Sequence, residues 1–197
     1  ISAVSCFSTL GYMLNNGELF SLSKTMCTPV PDWMWWLNLA FILSKIYEWM
    51  DTMILVWLKP KAPLLFLHVY HHATTFWLFL LVVAFPGTLK MGLLLNGGVH
   101  TLMYAHYARP FPKAIVPFIT LAQLVQLFYV VWMWSVTPGT CPEHAAFPTE
   151  HFADFVTPYL MVPVYIMGFL KFFVQRFVLG STHKKKPAAA ASPETKQ

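Results

Sequence analysis

The sequence predicts an all-α polytopic membrane protein, and three observations carry that prediction. Hydrophobic residues make up 57% of the chain and charged residues only 11%, where a soluble domain carries about a quarter charged. Aromatic residues reach 17%, which excludes a disordered chain. Apolar runs of roughly 20 residues recur along the sequence, each long enough to cross a hydrocarbon core of about 30 Å.

The elements follow in order. The chain opens on Ile1 within apolar sequence, so residues 1–14 read as the end of a span whose beginning is missing. Residues 15–32 read as a polar loop carrying Pro29 and Pro31. Complete spans are expected at about residues 33–58, 63–83, 91–108, 115–136 and 155–179, parted by short connectors bearing Pro and Gly. Those connectors leave no room for a soluble domain, so residues 1–180 form one transmembrane domain. Residues 181–197 change to Lys, Ala, Ser and Pro and read as a basic, disordered tail.

Charge in the connectors orients the spans. Lys59 and Lys61 follow the first complete span, Arg109 and Lys113 the third, and Arg176 with Lys184 to Lys186 the fifth. The alternate connectors hold only Lys24, only Lys90, and no Lys or Arg at all from 137 to 154. By the positive-inside rule the first set, and with it the C-terminus, is cytoplasmic. Membrane orientation accounts for the net charge of +5 without nucleic acid. Cys27 and Cys141 fall in connectors assigned to the opposite side, where an oxidising lumen lets them form a disulfide.

Four successive spans carry polar stripes. Lys45, Glu48 and Asp51 occupy an arc of about 120° on the first complete span; His68, His71 and His72 lie within about 100° on the next. Asn96, His100 and Tyr104 follow on the third, and Thr120, Gln123 and Gln126 on the fourth. Counted from the cytoplasmic charges, Asp51, His71, His100 and Gln123 all lie roughly 12–15 Å inward. Ionisable groups at that depth cost several kcal/mol each unless they face a cavity or one another, so a shared site open to the cytoplasm is expected. Lys45, Glu48 and Asp51 act there either directly on substrate or as an ion-pair network that supports the site.

His68-Val-Tyr-His71-His72 places imidazoles at i, i+3 and i+4, a spacing that suits a metal. Membrane di-iron oxygenases, however, draw on about eight histidines in three such boxes. Here His144, His151 and His183 fall in a connector and in the tail, so a di-iron centre is not expected. No metal site is assigned, although the box alone leaves a mononuclear ion open.

Taken together, four segments resemble the signature motifs of the ELO family, the very-long-chain fatty acid elongases. They are Lys45-Ile-Tyr-Glu48-Trp-Met-Asp51-Thr52, Phe66-Leu-His68-Val-Tyr-His71-His72, Asn96-Gly-Gly-Val-His100-Thr-Leu-Met103-Tyr104 and Thr120-Leu-Ala-Gln123-Leu-Val-Gln126. The resemblance implies a bundle of about seven transmembrane helices around an acyl tunnel in the endoplasmic reticulum membrane. The helix of Lys45 would be its third, leaving the first one to two helices incomplete or missing here. It implies condensation of a long-chain acyl-CoA with malonyl-CoA to 3-oxoacyl-CoA, carbon dioxide and CoA, with neither metal nor redox cofactor. Reductase and dehydratase partners would complete the cycle, and a homodimer stays open. His106 departs from the pattern, standing where many members have an aromatic residue.

Residue chemistry sharpens that expectation. No cysteine lies on the four motif-bearing spans, so acyl transfer needs another nucleophile, and a neutral imidazole can take an acyl group from a thioester. His71 and His100 are the preferred pair for acyl acceptance and enolate stabilisation, with His68 and His72 orienting them or meeting the CoA side. Tyr104, Asn96, Gln123 and Gln126 can offer hydrogen bonds to carbonyl or enolate oxygens. Lys59, Lys61, Arg109 and Lys113 at the mouth would attract CoA phosphates. A membrane carrier would also collect Asp, Glu and His, but it needs access from both faces, and the luminal halves of these spans are apolar.

Overall fold

The computed structural model describes residues 1–58, 65–81, 86–141 and 157–180, and all regular structure among them is helical. Helix α1 (Ser2–Asn15) buries Ser5, Thr9 and Met13, a stripe at steps of four. Residues 15–32, read from sequence as loop, contain a short helix α2 (Leu22–Cys27) whose first turn is capped by the Ser21 hydroxyl, which accepts from the Lys24 N–H at 3.4 Å. A capping serine ahead of Leu22 and the buried Thr25 and Met26 explains that turn of helix.

Helix α3 (Asp32–Leu58) starts on an acidic residue, which suits the helix dipole. Its buried residues Met34, Asn38, Phe41, Ile42, Lys45 and Glu48 repeat at three and four and form one inward face. Helix α4 (Leu65–Leu81) carries the histidine box. Next comes an unbroken helical rod: α5 (Pro86–Met91), a π-helical turn (Gly92–Asn96) and α6 (Gly97–Ala108). A Cβ on Gly97 would lie 2.8 Å from the Ser2 carbonyl oxygen, so α1 and α6 pack backbone against backbone. Helix α7 spans Val116–Thr140, and α8 (Val162–Phe173) is flanked by π turns at Thr157–Met161 and Val174–Leu179.

These helices occupy the five expected stretches, with one correction at the third. It begins at Pro86, so Lys90 belongs to a helix and not to a connector. Lys90 is completely buried: its Nζ donates to Glu18 Oε2 at 2.7 Å and to the Thr28 carbonyl at 3.0 Å. The pairing with Glu18 spans 72 positions, and no local signal announces it.

Among the described residues, 116–137 and 159–179 are long and apolar enough to cross a membrane. The 27-residue α3 carries Asp32, Lys45, Glu48 and Asp51 within its length, and α4 is 17 residues long. Helix ends sort into two groups. Glu18, α2, the start of α5 and the end of α7 meet at one end, where Cys27 and Cys141 are joined by a disulfide with Cα atoms 5.6 Å apart. Arg109, Lys113 and Arg176 lie at the opposite ends of their helices. Lys59, Lys61 and the tail 181–197 lie outside the described residues.

Closing so long a loop is worth about 4–5 kcal/mol in the chain-entropy model. Intact-protein mass spectrometry without reduction is expected to recover Cys27 and Cys141 as one linked pair, and a Cys141→Ser variant to unfold at lower temperature. Alkylation of both thiols before reduction would contradict the pairing.

Candidate active site

The site grows from a buried cation. Lys45 is 1% exposed, and its Nζ donates to Glu48 Oε1 at 2.9 Å and to Asn96 Oδ1 at 3.2 Å, with the Phe41 ring face 4.4 Å away. The same Glu48 oxygen lies 3.6 Å from His100 Nδ1. Glu48 also acts through its backbone: its carbonyl stands 2.8 Å from His72 Nδ1. A carbonyl only accepts, so the neutral His72 ring carries its hydrogen on Nδ1 and leaves the Nε2 lone pair free. In return, Trp49 Nε1 donates to the His72 carbonyl at 2.7 Å. One stretch of α3 thereby positions groups on α4, on the π turn and on α6.

The histidine box divides by face, as i, i+3, i+4 spacing requires. His68 and His72 stack at 4.2 Å between ring centroids. His71 turns toward α6 and α8, with its ring 6.3 Å from His100, 5.1 Å from Tyr165 and 6.1 Å from Phe169. His71 and His100, on different helices, are thus brought together.

Two cavities meet at this place. A vestibule of about 300 Å³ is lined by His68, His72, His100, His106, Gln123 and Arg176, with apolar side chains such as Leu67, Met103, Phe172 and Phe177 between them. An inner, mainly apolar cavity of about 50 Å³ is lined by Thr75, Phe79, Asn96, Gln126, Val130 and Tyr165, and runs toward Thr88 and Met91 on α5. Among the described residues, His71 is the one that lines both. Several buried polar atoms have no hydrogen-bond partner among the described residues, and three of them belong to residues that line these cavities: His68 Nε2, His100 Nδ1 and Gln126 Oε1. Such orphans at a cavity wall are groups that a ligand can satisfy.

The predicted common depth needs correction for Asp51. It is exposed on an open groove of about 840 Å³ between α1, α3 and α6, where it accepts from the Tyr104 hydroxyl at 3.3 Å. Glu48, one turn earlier, is the carboxylate at the level of His100. Counting residues inward from terminal charges assumes straight, parallel helices, and one turn is the size of error that assumption allows. Arg109 and Lys113 are exposed beyond the end of α6 and do not line the vestibule, whereas Arg176 does. No cluster of three or more His, Cys, Asp or Glu side chains has metal-binding geometry among the described residues.

The profile of the ELO (GNS1/SUR4) family matches residues 1–186. The chain belongs to the ELO family. It is 32% identical to very long chain fatty acid elongase 2 of Rattus norvegicus over 83% of this chain and 58% of that protein. It is 34% identical to long chain fatty acid elongase 1 of Caenorhabditis elegans, over 75% of this chain and 51% of the relative. With very long chain fatty acid elongase 3 of Homo sapiens the identity is 27%, over 90% and 67% respectively. The chain therefore spans between about half and two thirds of the length of these relatives. No solved structure matches it.

In this ELO chain the residues singled out from sequence separate into two sets. Gln123 lines the vestibule, while Asn96 and Gln126 line the inner cavity. Sequence reasoning assigned no polar stripe to the last span and so missed Tyr165 and Phe169, whose i, i+4 spacing on α8 was the available signal. His106 lines the vestibule, and its Nδ1 accepts from the Phe111 backbone N–H at 2.9 Å. That bond keeps the neutral ring in the tautomer with hydrogen on Nε2.

Lys45→Met should leave the Glu48 carboxylate buried without its cation and destabilise the protein by about 3–5 kcal/mol. Lys45→Met combined with Glu48→Leu should recover part of that loss. Thermal unfolding of the four proteins of this cycle in detergent checks it; additive losses would mean that the two side chains are not coupled.

Proposed function

We propose that this chain carries the catalytic helices of a fatty acid elongase that condenses a long-chain acyl-CoA with malonyl-CoA. The observation that supports this reading is the position of His71 in the wall shared by a vestibule bearing histidines, Gln123 and Arg176 and a mainly apolar inner cavity. An acyl-CoA is polar at one end and apolar at the other, and its reactive thioester is the junction. A substrate with its tail in the inner cavity and its CoA in the vestibule sets the thioester carbonyl against His71.

The chemistry balances without an oxidant, a reductant or a metal. The His71 lone pair attacks the thioester carbonyl, the carbon–sulfur bond breaks, and CoA leaves with the proton that the imidazole gives up. Malonyl-CoA then loses carbon dioxide, and the electron pair of the broken carbon–carbon bond forms an enolate. That carbon attacks the acyl group, the carbon–nitrogen bond to His71 breaks, the departing imidazole takes back a proton from water, and 3-oxoacyl-CoA is released. Asn96 and Gln126 can donate to the acyl carbonyl oxygen, while Gln123, His106 and the free Nε2 of His72 face the CoA side. Arg109 and Lys113, together with Lys59 and Lys61, draw the CoA phosphates toward the mouth.

Three expectations from the family resemblance and the charge pattern complete the proposal. The helices form part of a bundle of about seven spans in the endoplasmic reticulum membrane, with the C-terminus cytoplasmic. Reduction and dehydration of the product fall to separate enzymes of the cycle. Assembly as a homodimer is compatible with the exposed apolar faces. The relatives' names are elongase names, and nothing among them favours a carrier.

Wild-type protein incubated with acyl-CoA alone is expected to release CoA and to gain an acyl group on His71, and His71→Ala to lose both steps, by at least about a thousandfold. Substantial product from the alanine variant removes His71 from the role of acyl acceptor. Chelators are expected to leave the rate unchanged, and loss of activity together with stoichiometric iron or zinc would overturn the acyl-transfer scheme.

A further inference from the structure

Helix α8 has no charged or amide side chain facing the site, yet it supplies the closest aromatic contact to His71. We infer that Tyr165 is the positioning residue that holds the His71 imidazole at the entrance of the inner cavity; this rests on the proposed role of His71. Tyr165 is completely buried, and its ring lies 5.1 Å from that of His71 at an interplanar angle of 60°. Phe169, one turn along the same helix, meets the His71 ring at 6.1 Å and 82°. Tyr165 lines the inner cavity and Phe169 the vestibule, so the imidazole sits in an aromatic slot that opens at either end onto a cavity.

The slot is itself tied down. Thr74 Oγ1 donates to the Tyr70 carbonyl at 2.6 Å and lies 2.6 Å from the Tyr165 hydroxyl. A threonine hydroxyl has one hydrogen, and here it goes to Tyr70; the Tyr165 hydroxyl is therefore the donor in the second bond. Its proton is engaged on the α4 side and is not presented to the inner cavity, which separates Tyr165 from the groups that could act as acids. The Tyr70 ring abuts the Tyr165 ring at 5.5 Å and 66°, closing its other side.

Gly168 lies at this approach. A Cβ there would fall 2.5 Å from Leu67 Cδ1, the end of a flexible side chain, so a larger residue would have to turn Leu67 aside where α8 meets the turn of α4 that leads into the histidine box. Tyr70, His71 and Thr74 on α4 and Tyr165 on α8 consequently act as one rigid unit. A displacement of about 1 Å at a reacting group can cost on the order of a hundredfold in rate. Loss of the ring beside His71 is therefore a loss of rate at constant substrate affinity.

The test uses the full chain in detergent with Tyr165→Leu, which removes the ring, and Tyr165→Phe, which removes only the hydroxyl. Release of CoA from acyl-CoA alone should fall by about tenfold or more in the leucine variant, with the acyl-CoA KM within about twofold, and less in the phenylalanine variant. A second readout needs no substrate. Diethyl pyrocarbonate, which acylates neutral imidazoles, should modify His71 several times faster in Tyr165→Leu, with His106 unchanged as the internal reference by peptide mass spectrometry. Wild-type behaviour of the leucine variant in both measurements overturns the inference. So does a parallel rise at His71 and His106, which marks general loosening. If wild-type protein releases no CoA, the acyl-transfer reading fails, while the His71-to-His106 ratio still decides whether Tyr165 positions the ring.

Discussion

The buried pair of Lys45 and Glu48 is the constraint on which the rest of the site depends. Taking both charges out of water costs several kcal/mol, and their attraction alone does not reliably offset it. The remainder must come from surrounding polar and aromatic groups. Asn96 accepts a second hydrogen bond from Lys45, Phe41 offers its ring face, and His100 lies beside the Glu48 carboxylate. Each of these partners sits on α3 itself or on the π turn and α6, so satisfying the cation also fixes how those elements pack. Glu48 then passes the constraint to α4 through its main chain, where its carbonyl holds His72. Supporting and orienting are thus one arrangement: the residue that neutralises Lys45 also aims His72 and lies beside His100.

With His72 held by the Glu48 carbonyl, the geometry leaves His71 as the histidine at the boundary shared by the vestibule and the inner cavity. That boundary is what separates this site from a polar pore. The wall on one side mixes imidazoles, an amide and an arginine with Phe169, Phe172 and Phe177; on the other it is built mainly of side chains such as Phe79, Leu78, Val130 and Val162. An amphiphile fits such a divided volume in one direction only, and its junction is held at the dividing residue. The inner cavity, at about 50 Å³, holds far less than a long acyl chain, so a chain enters by moving side chains of that wall. Packed aliphatic and aromatic residues there can shift by rotamer changes; the Lys45 cluster, with its charges desolvated, cannot do so cheaply.

Much of this was legible in the sequence, because intramembrane ionisable residues are expensive and so betray a site by their presence alone. Lys45, Glu48, the three box histidines, Asn96 and His100 were identified that way and come together in space. The helix positions were legible from apolar run length. Three features were not. Lys90 looked like a connector charge because its partner Glu18 is remote in sequence. Asp51 was placed one turn too deep because helix tilt has no sequence signature. Tyr165 and Phe169 were passed over because aromatic residues at i, i+4 in an apolar run read the same whether they face lipid or a histidine; the ring contacts with His71 distinguish the two cases.

The π turn at Gly92–Asn96 follows from the same demands. The rod from Pro86 to Ala108 carries two buried obligations: Lys90 must reach Glu18 and the Thr28 carbonyl, and Asn96 must reach Lys45. In a uniform α-helix each residue advances by about 100°, so the angle between positions six apart is set by the backbone and not by the partners. A π turn takes in an extra residue and changes that angle, which is why such turns recur at functional sites. Here it lies between the two anchors, ending on Asn96 and leading directly into the face that carries His100. Gly92 at its start sits against the Phe79 ring, where a Cβ would come within 3.0 Å, so the widened turn also lies against the wall of the inner cavity. The irregular backbone therefore reconciles an ion pair at one end of the helix with the Lys45 and histidine cluster at its centre, a conflict that straight helical geometry leaves unresolved.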